Sequence, residues 1–228
     1  MLTCSQREPT NGGIVMASPI DAVRALHNAL RHDIRLIDAA ALESAQGKQG
    51  LGSTVERFRF LNEVLEWHAE GEDSVIFPLL ESVAPSVYEV YERDHRALDT
   101  AFVALNQAVS VHDALETARV TKAFKFHLDL HLDKEDTHLY RIVGERVSLP
   151  EQGQAVGLMA SHSPQDRFPE VVAWMFPLLG TDDRVNMTRA WQMGMPPEGF
   201  AMAARLIEQA VGDDWAELAG HIPELVGA

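Results

Sequence analysis

One helical stretch near the middle of the chain carries side chains that are unusual for a helix interior. His127, His131 and Glu135 follow one another at intervals of four residues, and His138 comes three residues later. Because an α-helix turns by about 100° per residue, side chains at this spacing lie on one face. Phe124 and other apolar residues continue the same face. Uncompensated ionisable groups in a core cost several kcal/mol, so this stretch predicts a bound metal ion.

Three other predicted helices carry the same residue types on their apolar faces. In the second helix, apolar positions recur at alternating intervals of three and four residues, and His68 and Glu72 occupy two of them. His27 falls at the edge of the apolar row of the first helix, whereas His32 falls on the opposite, solvent-facing side. His95 is the one imidazole in the apolar row of the third helix.

Together these inward positions supply four imidazoles and two carboxylates, with His127 and His138 in reserve. Each taken alone has an ordinary explanation as a hydrogen-bonded core histidine or a surface His–Glu pair. Their recurrence on four helices favours a metal site instead. This set would suit two metal ions that share two bridging carboxylates, with two or three imidazoles capping each ion. Imidazole and carboxylate ligands suit iron, and less selectively manganese or zinc.

The hydrophobic pattern around these residues indicates an all-α fold and contains no alternating strand pattern. Helices of roughly 20 to 35 residues with short connections favour an up-down-up-down four-helix bundle. We expect the first helix to run from Pro19–Asp21 to about Ala45, and the second to begin at an N-cap on Ser53 or Thr54 and to bend or end at Pro78 and Pro85. The third helix should open with a capping box at Ser86–Glu89. Asp113 should cap the fourth helix, which ends before Pro150. We expect a disordered leader at residues 1–18, the bundle at 19–148, and a C-terminal helical extension packed on the bundle at 149–228.

The C-terminal extension is rich in methionine and tryptophan, with six of the eight methionines of the chain. Such side chains suit adaptable packing surfaces and pocket walls. Three interpretations are therefore open: a helical cap on the bundle, a lid over a substrate, or a dimer interface. Glycines and prolines divide the extension, and we expect short helices near residues 168–179, 184–193 and 198–211.

The composition excludes several classes of protein and site. No apolar run approaches the roughly 20 residues needed to cross a bilayer, and the N-terminus lacks the pattern of a secretory signal. The net charge of −15 argues against nucleic acid and anionic membranes as partners. The only cysteine, Cys4, excludes cysteine-based zinc and iron–sulfur sites. We expect a cytoplasmic protein whose metal is held by histidine and carboxylate.

Four segments occur in a particular order: His27-Asn-Ala-Leu-Arg31, His68-Ala-Glu-Gly-Glu72-Asp-Ser-Val-Ile-Phe-Pro78, Asp94-His95 and His131-Leu-Asp-Lys-Glu135-Asp. Their combination, over about residues 20–147, resembles the hemerythrin-like His-His-Glu cation-binding family, and the first segment is similar to the motif of its bacterial, especially actinobacterial, branch. The resemblance implies a four-helix bundle with two non-haem iron ions and an oxo or hydroxo bridge. The ligands that it implies, with the two glutamates as bridges, are His27, His68, Glu72, His95, His131 and Glu135.

The sequence departs from the oxygen-carrying members of that family on two helices. Those proteins place two histidines one turn apart on the third helix, but neither residue four positions from His95 is histidine. His127, Tyr91 or water could fill the missing place. On the fourth helix, Asp136 fits the spacing of their aspartate ligand, although Glu135 lies better on the inward face. These departures weigh against reversible oxygen carriage and favour the turnover of oxygen species.

The leading hypothesis is a di-iron protein that binds and reacts with dioxygen, peroxide or nitric oxide in oxidative or nitrosative stress, with a catalase-like cycle as its enzymatic version. Tyr91 and His127 are the catalytic candidates, because each lies one turn from an expected ligand and could supply a proton. A packed phenol and an imidazole outside the ligand set are the alternative interpretations.

Two further hypotheses give the extension a function. A di-iron oxygenase or oxidase acting on an organic substrate under the extension predicts an apolar pocket that reaches from the extension to the metals. An iron- or oxygen-sensing module whose extension binds a partner protein predicts an exposed apolar patch there.

Overall fold

The structure is a computed structural model that describes residues 18–227, apart from the side chains of residues 86 and 88. Helix is the only regular secondary structure in this part of the chain. The leader expected at residues 1–18 lies, except for Ser18, outside the described residues. None of the described helices is long and apolar enough to cross a membrane.

The bundle is built from six α-helices that form four long helical segments. They are α1 (Asp21–Ala45), α2 (Gly52–Gly71), α3 (Phe77–Val83), α4 (Pro85–Ser110), α5 (Ala114–Lys134) and α6 (Tyr140–Arg146). A π-helical turn at Glu72–Ile76 joins α2 to α3, and a second at Glu135–Leu139 joins α5 to α6. α5 packs along α1 and α4, while α2 packs on α1 and α3 packs on α4. The structure thus confirms the predicted all-α bundle.

The starts of these helices follow simple capping rules, with two corrections. Asp113 caps α5 as predicted, because its side chain accepts a hydrogen bond of 2.9 Å from the Glu116 backbone N–H. The caps predicted for the second and third helices are wrong. α2 begins at Gly52, ahead of both candidate residues, and α4 begins at Pro85, ahead of Ser86. Proline suits the first position of a helix because its fixed φ is helical and its missing N–H is not needed there.

Each π turn shifts the buried face of the helix that follows it by one residue. A π turn inserts one extra residue into a helical turn. Continued at regular spacing beyond Glu72 and Glu135, the inward rows would reach Leu79 and Ile142, but both are only partly buried. Leu80 and Val143, one position later, are completely buried instead. The inward rows were therefore wrong by one residue beyond each carboxylate.

The C-terminal part is also helical, with breaks at the predicted glycines and prolines. Its helices are α7 (Leu149–Ala160), α8 (Phe168–Met175), α9 (Thr181–Gly194), α10 (Pro197–Val211) and α11 (Trp215–His221). α9 packs along α1, and α7 packs against α2 and the first π turn. The approach of α7 is close, since a Cβ on Gly71 would lie 2.5 Å from the Met159 side chain. The division of the chain into units at residues 148 and 149 stays a prediction.

A buried carboxylate links the C-terminal helices to the bundle. Asp33 on α1 is completely buried. It accepts hydrogen bonds from the Arg57 side chain on α2 and, at 2.8 Å, from Trp174 Nε1 on α8. One side chain thus holds three helices, and both of its partners depend on it for an acceptor.

We predict that Asp33→Ala lowers the free energy of unfolding by about 2 kcal/mol, because the partly buried Trp174 N–H loses its acceptor and Arg57, whose side chain is 41% exposed, loses an ion pair. Urea unfolding followed by circular dichroism measures the change. Glu43→Ala is the matched control, since Glu43 is exposed on the same helix, and it should stay within about 0.5 kcal/mol of the unsubstituted chain. Equal effects of the two substitutions would contradict the role of Asp33.

Candidate metal centre

Six titratable side chains from four helical segments converge in the interior of the bundle. Each is buried, with no more than 8% of its surface exposed. They lie between two apolar clusters of the bundle core, one around Phe77 and Val143 and the other around Phe58 and Phe124. The six residues are His27, His68, Glu72, His95, His131 and Glu135. These are the residues that the sequence singled out as candidate ligands.

The six side chains form two groups of potential metal ligands that share both carboxylates. The first group joins His27 and His68 to the two glutamates, and the second joins His95 and His131 to the same two glutamates. Within each group the candidate ligand atoms lie within 4.8 Å of one another. The arrangement therefore offers two neighbouring cation positions rather than one.

Each glutamate presents one oxygen to each pair of histidines. Glu72 Oε1 lies 3.4 Å from His68 Nε2, whereas its Oε2 lies 3.3 Å from His95 Nε2. Glu135 Oε1 lies 3.1 Å from His131 Nε2, whereas its Oε2 lies 3.7 Å from His27 Nε2. A carboxylate oriented in this way can bridge two cations.

The distance between the first two imidazoles matches binding to one ion. His27 Nε2 and His68 Nε2 are 3.0 Å apart. Two nitrogen ligands about 2.1 Å from one ion, and about 90° apart around it, are separated by about 3.0 Å. The first position is therefore shaped for a cation without rearrangement of these two rings.

Two aspartates orient one imidazole in each pair. His27 Nδ1 donates to Asp136 Oδ1 at 2.9 Å, and His95 Nδ1 donates to Asp73 Oδ1 at 3.0 Å. Arg31 holds the other oxygen of Asp136 at 2.7 Å. A hydrogen bond of this kind fixes the ring and directs Nε2 at a metal. Each aspartate directly follows one of the two buried glutamates in the sequence, and Asp136 contacts His27 and Arg31.

The charge states of the glutamates and of His68 suit a cation. Burial alone would raise the pKa of Glu135, but the electrostatic attraction of His131 lowers it to about 2. Burial would likewise raise the pKa of Glu72, yet the surrounding histidines lower it. Burial lowers the pKa of His68 to about 3, and the neighbouring histidines lower it further. Ionised carboxylates and a neutral imidazole are the forms that bind metal.

The aspartates favour the charged form of the two histidines that they contact. Burial works against the charged form of His27, but the hydrogen bond to Asp136 and the nearby carboxylates raise its pKa. Burial also opposes the charge on His95, while Asp73, Glu135 and Glu72 raise its pKa to about 12. Each cation position thus contains one imidazole at which a proton competes with a metal ion.

Several buried atoms at the centre lack the hydrogen bonds that their burial requires. Among the described residues, Glu72 Oε2 and both carboxylate oxygens of Glu135 accept no hydrogen bond, and Nδ1 of His68 and of His131 donates none. A buried charged oxygen without a donor is costly. Positive ions between the two carboxylates would satisfy these oxygens, so the residues present fit a pair of metal ions.

Tyr140 is a site residue that the sequence analysis missed. Its ring is completely buried, and its hydroxyl donates a hydrogen bond to Glu72 Oε1. Burial and the nearby carboxylates raise its pKa well above the usual value. The phenol therefore keeps its proton directly beside a candidate ligand carboxylate. The π turn between Glu135 and Tyr140 turns this residue inward, and no regular helical spacing would have indicated it.

Tyr91, one of the two catalytic candidates, is buried but contacts the second π turn. Its hydroxyl donates to the Lys134 backbone carbonyl at 3.0 Å. Burial and the charge of Glu135 raise its pKa to about 12, although a backbone hydrogen bond at Leu139 lowers it. The phenol thus supports the backbone that carries Glu135. Its catalytic role stays a prediction.

His127 and His138, the reserve candidates, do not join the cluster. Both are exposed, so the expectation that they share the inward face with His131 was wrong. The buried sector of α5 is centred on Phe124 and Leu128, and His127 lies about 100° from Leu128, outside that sector. The π turn moves His138 outward and puts Leu139 in its place.

Two cavities reach the centre from different sides. A small cavity of about 140 Å³ ends at His95 and His131, between α2, α4 and α5. A larger chamber of about 730 Å³ ends at His68 and lies between the bundle and helices α7 to α9. The organic-substrate hypothesis predicted a pocket of the second kind. Each candidate cation position therefore has its own cavity.

The chain is similar to three plant proteins over most of its length. Zinc finger protein BRUTUS of Arabidopsis thaliana is 26% identical over 201 residues, which cover 85% of this chain and 16% of that protein. Two BRUTUS-like zinc finger proteins of the same plant are 21% and 19% identical, over 76% and 78% of this chain and 15% and 16% of their own. The chain thus spans about one-sixth of the length of these relatives. No solved structure matches it significantly.

The sequence profile of the hemerythrin HHE cation binding domain matches residues 18–143, the segment that contains all six converging side chains. The similarity to BRUTUS covers a larger share of the chain and so continues into the C-terminal helices. Profile, fold and the cluster of histidines and glutamates agree. The chain belongs to the hemerythrin HHE cation-binding domain family, whose members are metal-binding helical domains.

Proposed function

We propose that this protein holds two iron ions and reacts with dioxygen, peroxide or nitric oxide. The observation that carries the proposal is the pair of buried glutamates, each with one oxygen toward each pair of histidines. His27 and His68 would hold one ion and His95 and His131 the other, with Glu72 and Glu135 shared. Imidazole with carboxylate favours iron, while manganese and zinc are the alternatives. Bound iron would supply the electrons for the reaction.

The protein around the centre controls access and protons. The small cavity at His95 and His131 suits a small uncharged molecule, because its wall combines apolar side chains such as Phe102 and Phe124 with the carboxylates of Glu66, Asp73 and Asp99. The acidic side chains disfavour the entry of anions. On the opposite side, Tyr140 holds a proton at Glu72 Oε1. This hydroxyl is placed to donate a proton as negative charge develops at the centre.

The set of ligands favours turnover over reversible oxygen carriage. Four imidazoles and two carboxylates converge in the described structure, and His127 does not supply a further nitrogen. Fewer protein ligands leave more positions open for a reacting molecule. A catalase-like consumption of peroxide is the enzymatic form of the proposal.

The large chamber favours a second candidate function, the oxidation of an organic molecule. Its wall is mostly apolar, it has a volume typical of pockets for small organic ligands, and it reaches His68. Dioxygen would then enter through the small cavity, while the organic substrate would occupy the chamber.

We predict that anaerobic reconstitution gives two irons per chain, and that Glu72→Gln or Glu135→Gln leaves at most one, because each carboxylate serves both positions. Iron content after gel filtration measures the change. Glu70→Gln is the matched control on the same helix, since the Glu70 side chain is 67% exposed, and His127→Ala should also retain two irons. One iron in the unsubstituted chain, or two in both bridge variants, would contradict the shared site.

We predict that the affinity for zinc, used as a redox-inert probe, rises between pH 6 and pH 8. The raised pKa values of His27 and His95 mean that the metal-free centre holds protons that zinc must displace. About two protons should be released per two ions, as measured by a pH indicator in weak buffer. Asp73→Asn removes the partner that raises the pKa of His95 and should reduce the release, whereas His127→Ala should not. Release of no protons would contradict this assignment.

We predict that Tyr140→Phe retains both irons but slows peroxide consumption at least tenfold, because it removes the proton beside Glu72. Oxygen evolution and loss of peroxide absorbance are the measurements. Tyr91→Phe is the matched control, since its hydroxyl contacts a backbone carbonyl instead. Equal rates for Tyr140→Phe and the unsubstituted protein would exclude Tyr140 as the proton donor, and a selective loss in Tyr91→Phe would assign that role to Tyr91.

A further inference from the structure

The large chamber has walls of distinctive chemistry. Helices α1 and α2 form one side, and α7, α8 and α9 form the other. The wall includes two tryptophans, Trp67 and Trp191, and four or more methionines from the C-terminal helices. Methionine walls adapt to the shape of an occupant, and tryptophan rings provide large apolar surfaces.

Charged side chains are absent from the described residues that line the chamber. Its polar side chains other than His68 belong to Ser161, Ser163 and Gln165, in the connection between α7 and α8. The chain as a whole carries a net charge of −15. A carboxylate or phosphate inside the chamber would therefore find no cation to offset its desolvation. The charge pattern favours an uncharged occupant.

His68 is the buried polar side chain at the inner end of the chamber. Only 6% of its surface is exposed, and its Nδ1 has no hydrogen-bond partner among the described residues. Its Nε2 lies 3.0 Å from His27 Nε2, on the side of the candidate metal centre. Nδ1 has almost no exposed surface, so it offers no hydrogen-bond donor to an occupant of the chamber. The inner end of the chamber therefore also favours an apolar occupant.

We propose that the chamber binds an uncharged, hydrocarbon-rich molecule. Its hydrocarbon part packs against the methionine and tryptophan wall. The inference names the substrate class for the proposed oxidation of an organic molecule, and in that sense it rests on the proposed function. The apolar binding itself does not depend on the metal.

The charge preference is tested with 1-decanol and decanoate on the metal-free full chain. Calorimetry, together with the fluorescence of Trp67 and Trp191, reports binding. We expect decanol to bind at least tenfold more tightly than decanoate. Equal affinities, or no decanol binding because another part of the chain fills the chamber, would overturn the proposal.

Two substitutions locate the binding in the chamber. Gly157 lines it, and a Cβ there meets no atom within 4 Å, so Gly157→Phe should fill the space and weaken decanol binding at least tenfold. Gly220→Phe is the matched control, because Gly220 is helical, equally unobstructed and remote from the chamber. Met193→Lys, at a half-exposed wall position in the last turn of α9, should improve decanoate binding. Unchanged affinities in Gly157→Phe and Met193→Lys would place the ligand elsewhere.

Loading the protein with zinc separates this proposal from the metal function. We expect the decanol affinity of the zinc-loaded chain to stay within threefold of that of the metal-free chain, because His68 is the only candidate ligand among the described residues that line the chamber. If zinc abolishes decanol binding, decanol occupies the metal centre and the proposal is wrong. If zinc does not bind while decanol still does, the metal function fails and the chamber remains.

Discussion

The structure depends on how two completely buried carboxylates are compensated. Glu72 and Glu135 have no exposed surface, and an isolated ionised carboxylate in such surroundings would be too costly to keep. Four imidazoles surround them, and the neighbouring carboxylates raise the pKa values of two of these, His27 and His95. The centre thus favours positive charge, which bound metal ions would also supply.

The two π turns explain how the bundle presents its ligands. Each begins at one of the two buried glutamates, which points inward, and continues with an aspartate that reaches a histidine on a neighbouring helix. A regular helix would continue its apolar row beyond the glutamate without a shift. The extra residue also turns Tyr140 toward Glu72. The two halves of the centre therefore share one local structure, a π turn that follows α2 in one half and α5 in the other.

Regular helical spacing was enough to predict the bundle and the six converging side chains. His68 and Glu72 are one regular helical turn apart, and so are His131 and Glu135. It failed beyond each glutamate, where the π turn breaks the period. His127 was misplaced because spacing alone does not fix the centre of the buried sector. Tyr140 and the chamber depend on how separate elements pack, and one sequence contains no periodic signal for such contacts.

The central claim is that two cations lie between the shared glutamates. Its most direct test is X-ray diffraction at the iron absorption edge from crystals of the iron-loaded protein. The account predicts two anomalous peaks about 3.5 Å apart, one beside His27 and His68 and the other beside His95 and His131. A single peak, or peaks on the protein surface with none between Glu72 and Glu135, would contradict it.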